Sequence, residues 1–145
     1  MRSIIPFLLR AKKATYAGHG NETESTRPAS HDLMYEEDKF FYYDTYLGGE
    51  RFCGEEAVWI ETKPVWSMNY VGRVIGSGFS GDFLKEALSL ASEESPYRGP
   101  AEYSEGEFLY RCEVTGDFDW FQGYEEIFRL GEKIYECYYH GGDVK

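Results

Sequence analysis

The phrase FCGEEAVW at residues 52–59 returns, little changed, as FQGYEEIF at residues 121–128, and no other feature limits the fold of this chain so strongly. Sliding the sequence on itself by 69 positions (121 minus 52) brings Phe52 onto Phe121, Gly54 onto Gly123, Glu56 onto Glu125, Tyr70 onto Tyr139 and Gly72 onto Gly141 without a gap. Conservative matches fill the intervals: Asp44 with Glu113, Val58 with Ile127, Trp59 with Phe128 and Trp66 with Tyr135. β-Propensity alone aligns apolar positions in any two aromatic strands, but it does not pair glycines flanked by paired acids. The chain reads as one unit written twice, over about 1–75 and 77–142, within a single domain spanning 1–145.

Each copy opens with an amphipathic segment. Ser3 as cap, with Ile4, Phe7, Leu8 and Ala11 at helical spacing, predicts a helix to about Tyr16. Ser80 as cap, Asp82 in the first turn and the stripe Leu84, Ala87, Leu88 and Ala91 predict a second over about 81–92. Runs rich in Tyr, Phe, Trp and Val follow, broken by LGGE, ETKP, TGD and LGEK. They predict strands at about 38–47, 50–61, 64–74, 106–115, 118–129 and 132–140, and short connections favour antiparallel meanders. The expected fold is therefore α+β: duplicated helix-plus-three-strand (αβββ) halves forming a mostly antiparallel, curved sheet of about six strands with two helices packed on one face. Gly54 and Gly123, in mid-strand, are expected to mark equivalent bulges.

Composition bounds the partners. A formal charge of −11 repels phosphate backbones, so direct nucleic-acid binding is not expected. The cations Arg10, Lys12 and Lys13 read as a solvated helix face. Cys53, Cys112 and Cys137 lack a CxxC pair and a secretory leader, which fits reduced, structural thiols and a cytoplasmic location. The apolar start SIIPFLL is too short to span a membrane.

Aromatic residues make up 18% of the chain, with 13 Tyr and 10 Phe, and strand alternation leaves neither face of the sheet polar. Contiguous aromatic surface of this kind marks an interaction site. A cleft between the halves is its natural place, with Tyr42, Tyr46, Glu56, Trp66, Tyr70, Glu125, Tyr135 and Tyr139 as candidate ligand-binding residues. Three uses are open to Glu56 and Glu125: acid–base chemistry, attraction of a cation with help from aromatic rings, or simple exposure and capping of a glycine bulge. His19, His31 and His140 have no metal-ligand spacing, and no phosphate loop or nucleophile motif is present, so no metal, cofactor or catalytic residue is assigned. The polar stretch 17–32 reads as a mobile loop or lid, and 92–104 as an ordered one.

The phrases TRPASHDLMYEE, YYDTYLGGERFCGEEAVW, PVWSMNYVGRV, FSGDFLKEAL, PYRGPAEYSEGEF and WFQGYEEIF resemble an uncharacterised bacterial domain-of-unknown-function family, which occurs alone or behind an XRE-type helix-turn-helix domain. The resemblance implies no activity. It points to a sensor or interaction role, indirect here because no such domain has room before Ser3. A looser analogy is to GyrI-like small-molecule sensors, whose strand order is a permutation of the one expected here. The function expected is a non-enzymatic domain that binds an apolar or cationic small molecule in an aromatic, acidic cleft. The alternatives are a protein-interaction or homodimerisation module, and an enzyme using paired carboxylates.

Overall fold

The computed structural model describes residues 2–145. Helix α1 (Ile5–Ala14) follows a 3-10 turn over Arg2–Ile4, with Pro6 in its first turn, and buries Ile5, Phe7, Leu8, Ala11 and Lys12. Ser3 falls inside that turn, and Ile4 stands at the cap position with no side-chain hydrogen bond. Helix α2 (Gly81–Ser89) is capped as its sequence implies, since Ser80 Oγ accepts a bond from the Phe83 N–H at 3.1 Å.

The strands are β1 (His31–Glu37), β2 (Phe40–Gly48), β3 (Arg51–Ile60), β4 (Lys63–Val74), β5 (Glu102–Glu105), β6 (Phe108–Asp117), β7 (Trp120–Arg129) and β8 (Glu132–Asp143). They form one eight-stranded sheet in the order β1-β2-β3-β4-β8-β7-β6-β5, antiparallel throughout. This overturns the expected α+β architecture of six strands with two helices on one face. The fold is predominantly β, and its helices have only ten and nine residues. The two additional strands, β1 and β5, are the sheet's edges. An edge strand has a neighbour on one side only, so it needs few apolar side chains, and HDLMYEE and EYSE carry few.

The order reads the same inward from either edge, and at the centre Tyr70 of β4 stands opposite Tyr139 of β8. The ungapped offset of 69 fits β3, β4, β7 and β8 but not the outer strands. Tyr42 faces Val58, and Tyr110 faces Ile127, so the outer strands are offset by 110 minus 42, or 68. Three residues separate Gly48 from its partner Phe52 at the β2–β3 turn but only two separate Asp117 from Trp120 at the β6–β7 turn, which accounts for the single-residue slip. Asp44 therefore corresponds to Cys112, not to Glu113.

Gly54 and Gly123 are regular strand positions; the bulges lie further along, at Val58/Trp59 and Ile127/Phe128. The glycines do something else. Gly54 lies opposite Tyr70 and Gly123 opposite Tyr139, and a Cβ on either would collide with that tyrosine's hydroxyl or ring. Each tyrosine can thus lie flat across the sheet.

The core is aromatic. Trp66 stacks on Phe118 and Phe121 at 5.1 and 5.9 Å and donates its indole N–H to the Phe118 carbonyl at 3.2 Å. Phe7 of α1 stacks on Phe40 at 5.1 Å, and Phe83 of α2 stacks on Phe108 at 5.0 Å. The helices are thereby anchored, α1 on β1 and β2 and α2 on β6.

Candidate functional site

Alternation along β2, β3 and β4 turns Tyr42, Asp44, Tyr46, Phe52, Glu56, Tyr70 and Val74 toward the core, where they line a cavity of about 250 Å3. Lys12, Thr15, Tyr16 and Ala17, from the end of α1 and the residues after it, close one side. Leu84 and Leu88 of α2, Phe79 and Arg98 close another. His31 and the Gly48–Gly49 turn complete the wall. The inner residues Lys12, Tyr42, Asp44, Glu56, Tyr70 and Arg98 are buried, while Tyr46, Phe52 and Phe79 are half-buried.

Four of the eight residues singled out in the sequence meet here: Tyr42, Tyr46, Glu56 and Tyr70. Glu125 and Tyr135 sit behind the wall, Glu125 held by Arg98, which donates to both its oxygens, and Tyr135 stacked against the lining rings of Phe79 and Phe52 at 5.3 and 6.2 Å. Tyr110 and Tyr135 donate to the same carboxylate at 2.8 and 3.0 Å. Trp66 and Tyr139 are placed elsewhere. Trp66 is wholly enclosed in its aromatic stack, and the Tyr139 hydroxyl lies 2.8 Å from Cys112 Sγ.

Three charged residues on the cavity wall, Lys12, Arg98 and Asp44, were not among the eight. Lys12, read as part of a solvated face, is buried and donates to Glu56 Oε1 at 2.8 Å and to the Tyr97 carbonyl at 2.7 Å. Its position four residues after Leu8 was the available signal, because that spacing continues the buried stripe. Arg98 comes from an irregular segment and lies 5.2 Å from the centre of the Tyr70 ring. Asp44 stands directly opposite Glu56 and accepts a bond from the Tyr70 hydroxyl at 2.5 Å.

Two fixed cations, Lys12 and Arg98, face three carboxyl groups, Asp44, Glu56 and Glu125. Lys12 pairs with Glu56 and Arg98 with Glu125, so Asp44 is left without a cation of its own. Burial, and then the charge of Glu56, push the Asp44 carboxyl up to about 7, against the lowering effect of the Tyr70 bond, Lys12 and Arg98. Tyr42 and Tyr70 are raised well above the ordinary phenol value, first by burial and then by the carboxylates beside them, and they remain donors. Burial raises Cys112 to about 11 and Cys137 to about 12, which makes both poor nucleophiles. Cys53 is exposed. Among the described residues no group of three or more His, Cys, Asp or Glu is placed to hold a metal ion.

The segment that leads from α1 to β1 is fastened at Asp32. Its carboxylate accepts bonds from the backbone N–H and hydroxyl of Thr26, and from Tyr43 and Thr45. Burial would raise the Asp32 carboxyl, but these bonds prevail and hold it well below the ordinary range. The neighbouring His31 ring stacks on Tyr46 at 4.7 Å and takes Glu22 on Nδ1 at 2.9 Å, which connects the segment to the cavity wall. No helix among the described residues is long and apolar enough to cross a membrane.

A family model described as "Domain of unknown function (DUF5680)" matches residues 44–144. That span holds every strand from the middle of β2 onward and all of the cavity except its α1 side, His31 and Tyr42. The match carries no helix-turn-helix neighbour and no source organism. No curated protein and no solved structure matches the chain.

Proposed function

Because the chain belongs to the DUF5680 family, whose description gives no activity, we propose a function from its geometry: a non-enzymatic domain that binds a small apolar or cationic molecule in the cavity beside Asp44 and Glu56. The observation that carries this reading is a space of about 250 Å3 that the protein's own side chains leave open, walled by Tyr46, Phe52, Phe79, Leu84 and Leu88 and floored by two buried carboxyl groups. Close packing is the rule in protein interiors, and a void that joins apolar walls to a few placed polar groups is the usual form of a ligand site. Thermal-shift measurements on a panel of small amines, alcohols and aromatic acids test it. Stabilisation by some members is expected, and Leu88→Trp, which fills the space, should abolish it. No stabilisation by any member, or equal stabilisation of the variant, would overturn the reading.

The two halves are read as copies of one helix-and-meander unit. Supporting this are the central Tyr70–Tyr139 pair and the matching glycine–tyrosine contacts at Gly54 and Gly123. Matching bulges lie at Val58 and Ile127. A second functional reading, a protein-partner or homodimer surface, draws on the outer face of the sheet. There Leu47, Cys53, Val71, Tyr138 and Tyr124 stand opposite one another across five strands, and Val71 and Tyr138 are more than half exposed. Sedimentation at low concentration tests it: a dimer is expected, and a monomer that persists as concentration rises would count against it.

A further inference from the structure

We propose that the cavity's ligand is an amphipathic amine, bound as its ammonium ion with the nitrogen between Asp44 and Glu56 and its apolar body against Tyr46, Phe52 and Phe79; this rests on the reading of the cavity as a ligand site. Each of the two carboxyl groups has an oxygen to spare. Asp44 accepts only the Tyr70 bond on Oδ1, and Glu56 accepts Lys12 and Tyr42 on Oε1 alone. Neither spare oxygen is sealed in protein, because among the described residues only Asp143 Oδ1 is both fully buried and without a partner. Both residues line the cavity, so its floor presents two adjacent acceptors inside a partly enclosed space with mainly apolar walls. Opposed residues in an antiparallel pair hold their Cβ atoms about 4.5–5.5 Å apart, a gap one nitrogen can bridge.

An ammonium group carries donors and no acceptor, which complements these oxygens. A carboxylate or phosphate would bring a further negative charge to a site where three carboxyl groups already outnumber two cations, and a neutral alcohol would leave an ionised Asp44 without a counter-charge. The cations that face the site are already engaged, Lys12 from α1 with Glu56 and Arg98 with Glu125. The remaining polar groups on the wall are Thr15, whose hydroxyl donates to the Ala11 carbonyl, and Tyr42, Tyr70, Tyr16, Tyr46 and His31, the last held by Glu22. Ring faces next to a desolvated cation add attraction of their own.

The Asp44 carboxyl, pushed up to about 7 by burial and by Glu56, gives this binding a pH signature. An ammonium favours the ionised carboxylate. Binding below that pH therefore expels a proton, and affinity increases as pH rises while the amine stays charged.

Titration calorimetry with 2-phenylethylammonium, 2-phenylethanol and 3-phenylpropionate as probes tests the inference. The ammonium should bind at least about tenfold more tightly than either analogue at about pH 8. Its affinity should decline by about pH 6, with proton release read from the difference in heat between two buffers. Asp44→Asn should erase the preference for the ammonium and keep the alcohol's weak binding; the wild-type pH profile decides the matter if that variant does not fold. If the alcohol or the acid binds as well as the amine, or if ammonium binding ignores pH, the inference falls while the ligand-site reading stands. If no probe binds and the wider panel is also silent, both fall.

Discussion

Glu56 and Glu125 occupy matching places in the two meanders, yet one is open and the other closed. Each faces the core from the third strand counted inward from its edge, and each accepts a tyrosine from the strand beside it, Tyr42 at 2.7 Å or Tyr110 at 2.8 Å. Three substitutions separate them, and one is Tyr135, which donates to Glu125 at 3.0 Å where the matching Trp66 gives its N–H to the Phe118 carbonyl. The residue opposite Glu125 is Cys112, a small thiol, where Glu56 faces the carboxyl of Asp44. The cation on Glu125 is the forked guanidinium of Arg98, which engages both oxygens and leaves none for a ligand, whereas Lys12 engages only one oxygen of Glu56. A shared backbone position thus yields a structural ion pair in one half and an unfinished polar site in the other. Whether such a carboxylate is fully bonded follows from which partners are supplied and not from the strand position itself.

The sharpest way to break this contrast is to remove the two cations separately. Arg98→Leu leaves Glu125 enclosed and unpaired, a change that ordinarily costs about 3–5 kcal/mol, and a large loss of Tm or outright failure to fold is expected. Lys12→Leu leaves Glu56 beside an open cavity that can admit water, and a loss of about 1–3 kcal/mol is expected in denaturant titrations. Equal losses would mean that the two sites are equally closed. Replacing both members of the inner pair, Arg98→Leu with Glu125→Met, should recover much of what the single change loses, because two matched apolar side chains leave no buried charge.

A smaller effect comes from Asp44. Its carboxyl titrates at about 7 in the folded chain against an ordinary value of 3.8, so the folded state holds the extra proton between those limits. Stability on this account is greatest below the lower limit, falls as pH rises through the window and is fully reduced above about 7. Differential scanning calorimetry from about pH 5 to about pH 8 should show Tm decreasing, and Asp44→Asn should flatten that slope by a few degrees. Cys112→Ser, at the matching position of the closed half, should leave the slope as it is. A wild-type Tm that rises across the window would contradict the open, uncompensated state of Asp44.

Much of this fold was legible in the sequence because apolar alternation and turn chemistry are local. The six inner strands and the cap at Ser80 follow from residues that lie beside them in the chain. The edges β1 and β5 did not show, since a strand paired on one side and bathed on the other has no need of alternation. The site was half legible. Tyr42, Tyr46, Glu56 and Tyr70 lie on strands whose facing can be counted, but Arg98 reaches Glu125 from an irregular segment 27 residues away, a contact that no periodicity announces. The one-residue slip between the hairpins hid Asp44 as well, because an offset of 69 set it against Glu113 and not against Cys112, the residue that faces Glu125.

The smallest difference should appear at the rims, where both halves place a tyrosine hydroxyl on a glutamate that is not buried. Tyr35 donates to Glu37 at 2.8 Å, and Tyr103 donates to Glu105 at 2.8 Å, each beside a helix that adds a partner, Arg10 to Glu37 or Glu86 to Tyr103. The Arg10 bond, and then that from Tyr35, hold the Glu37 carboxyl below its ordinary value, so its contribution is present above the ordinary carboxylate range and disappears as pH falls through it. Arg10 is more than half exposed, and water and salt screen such a pair. Glu37→Gln and Glu105→Gln should each leave Tm within measurement error at moderate salt. Should Glu37→Gln lower Tm as far as Lys12→Leu does, enclosure would not be what ranks these ion pairs, and the contrast between the open and closed sites would need another cause.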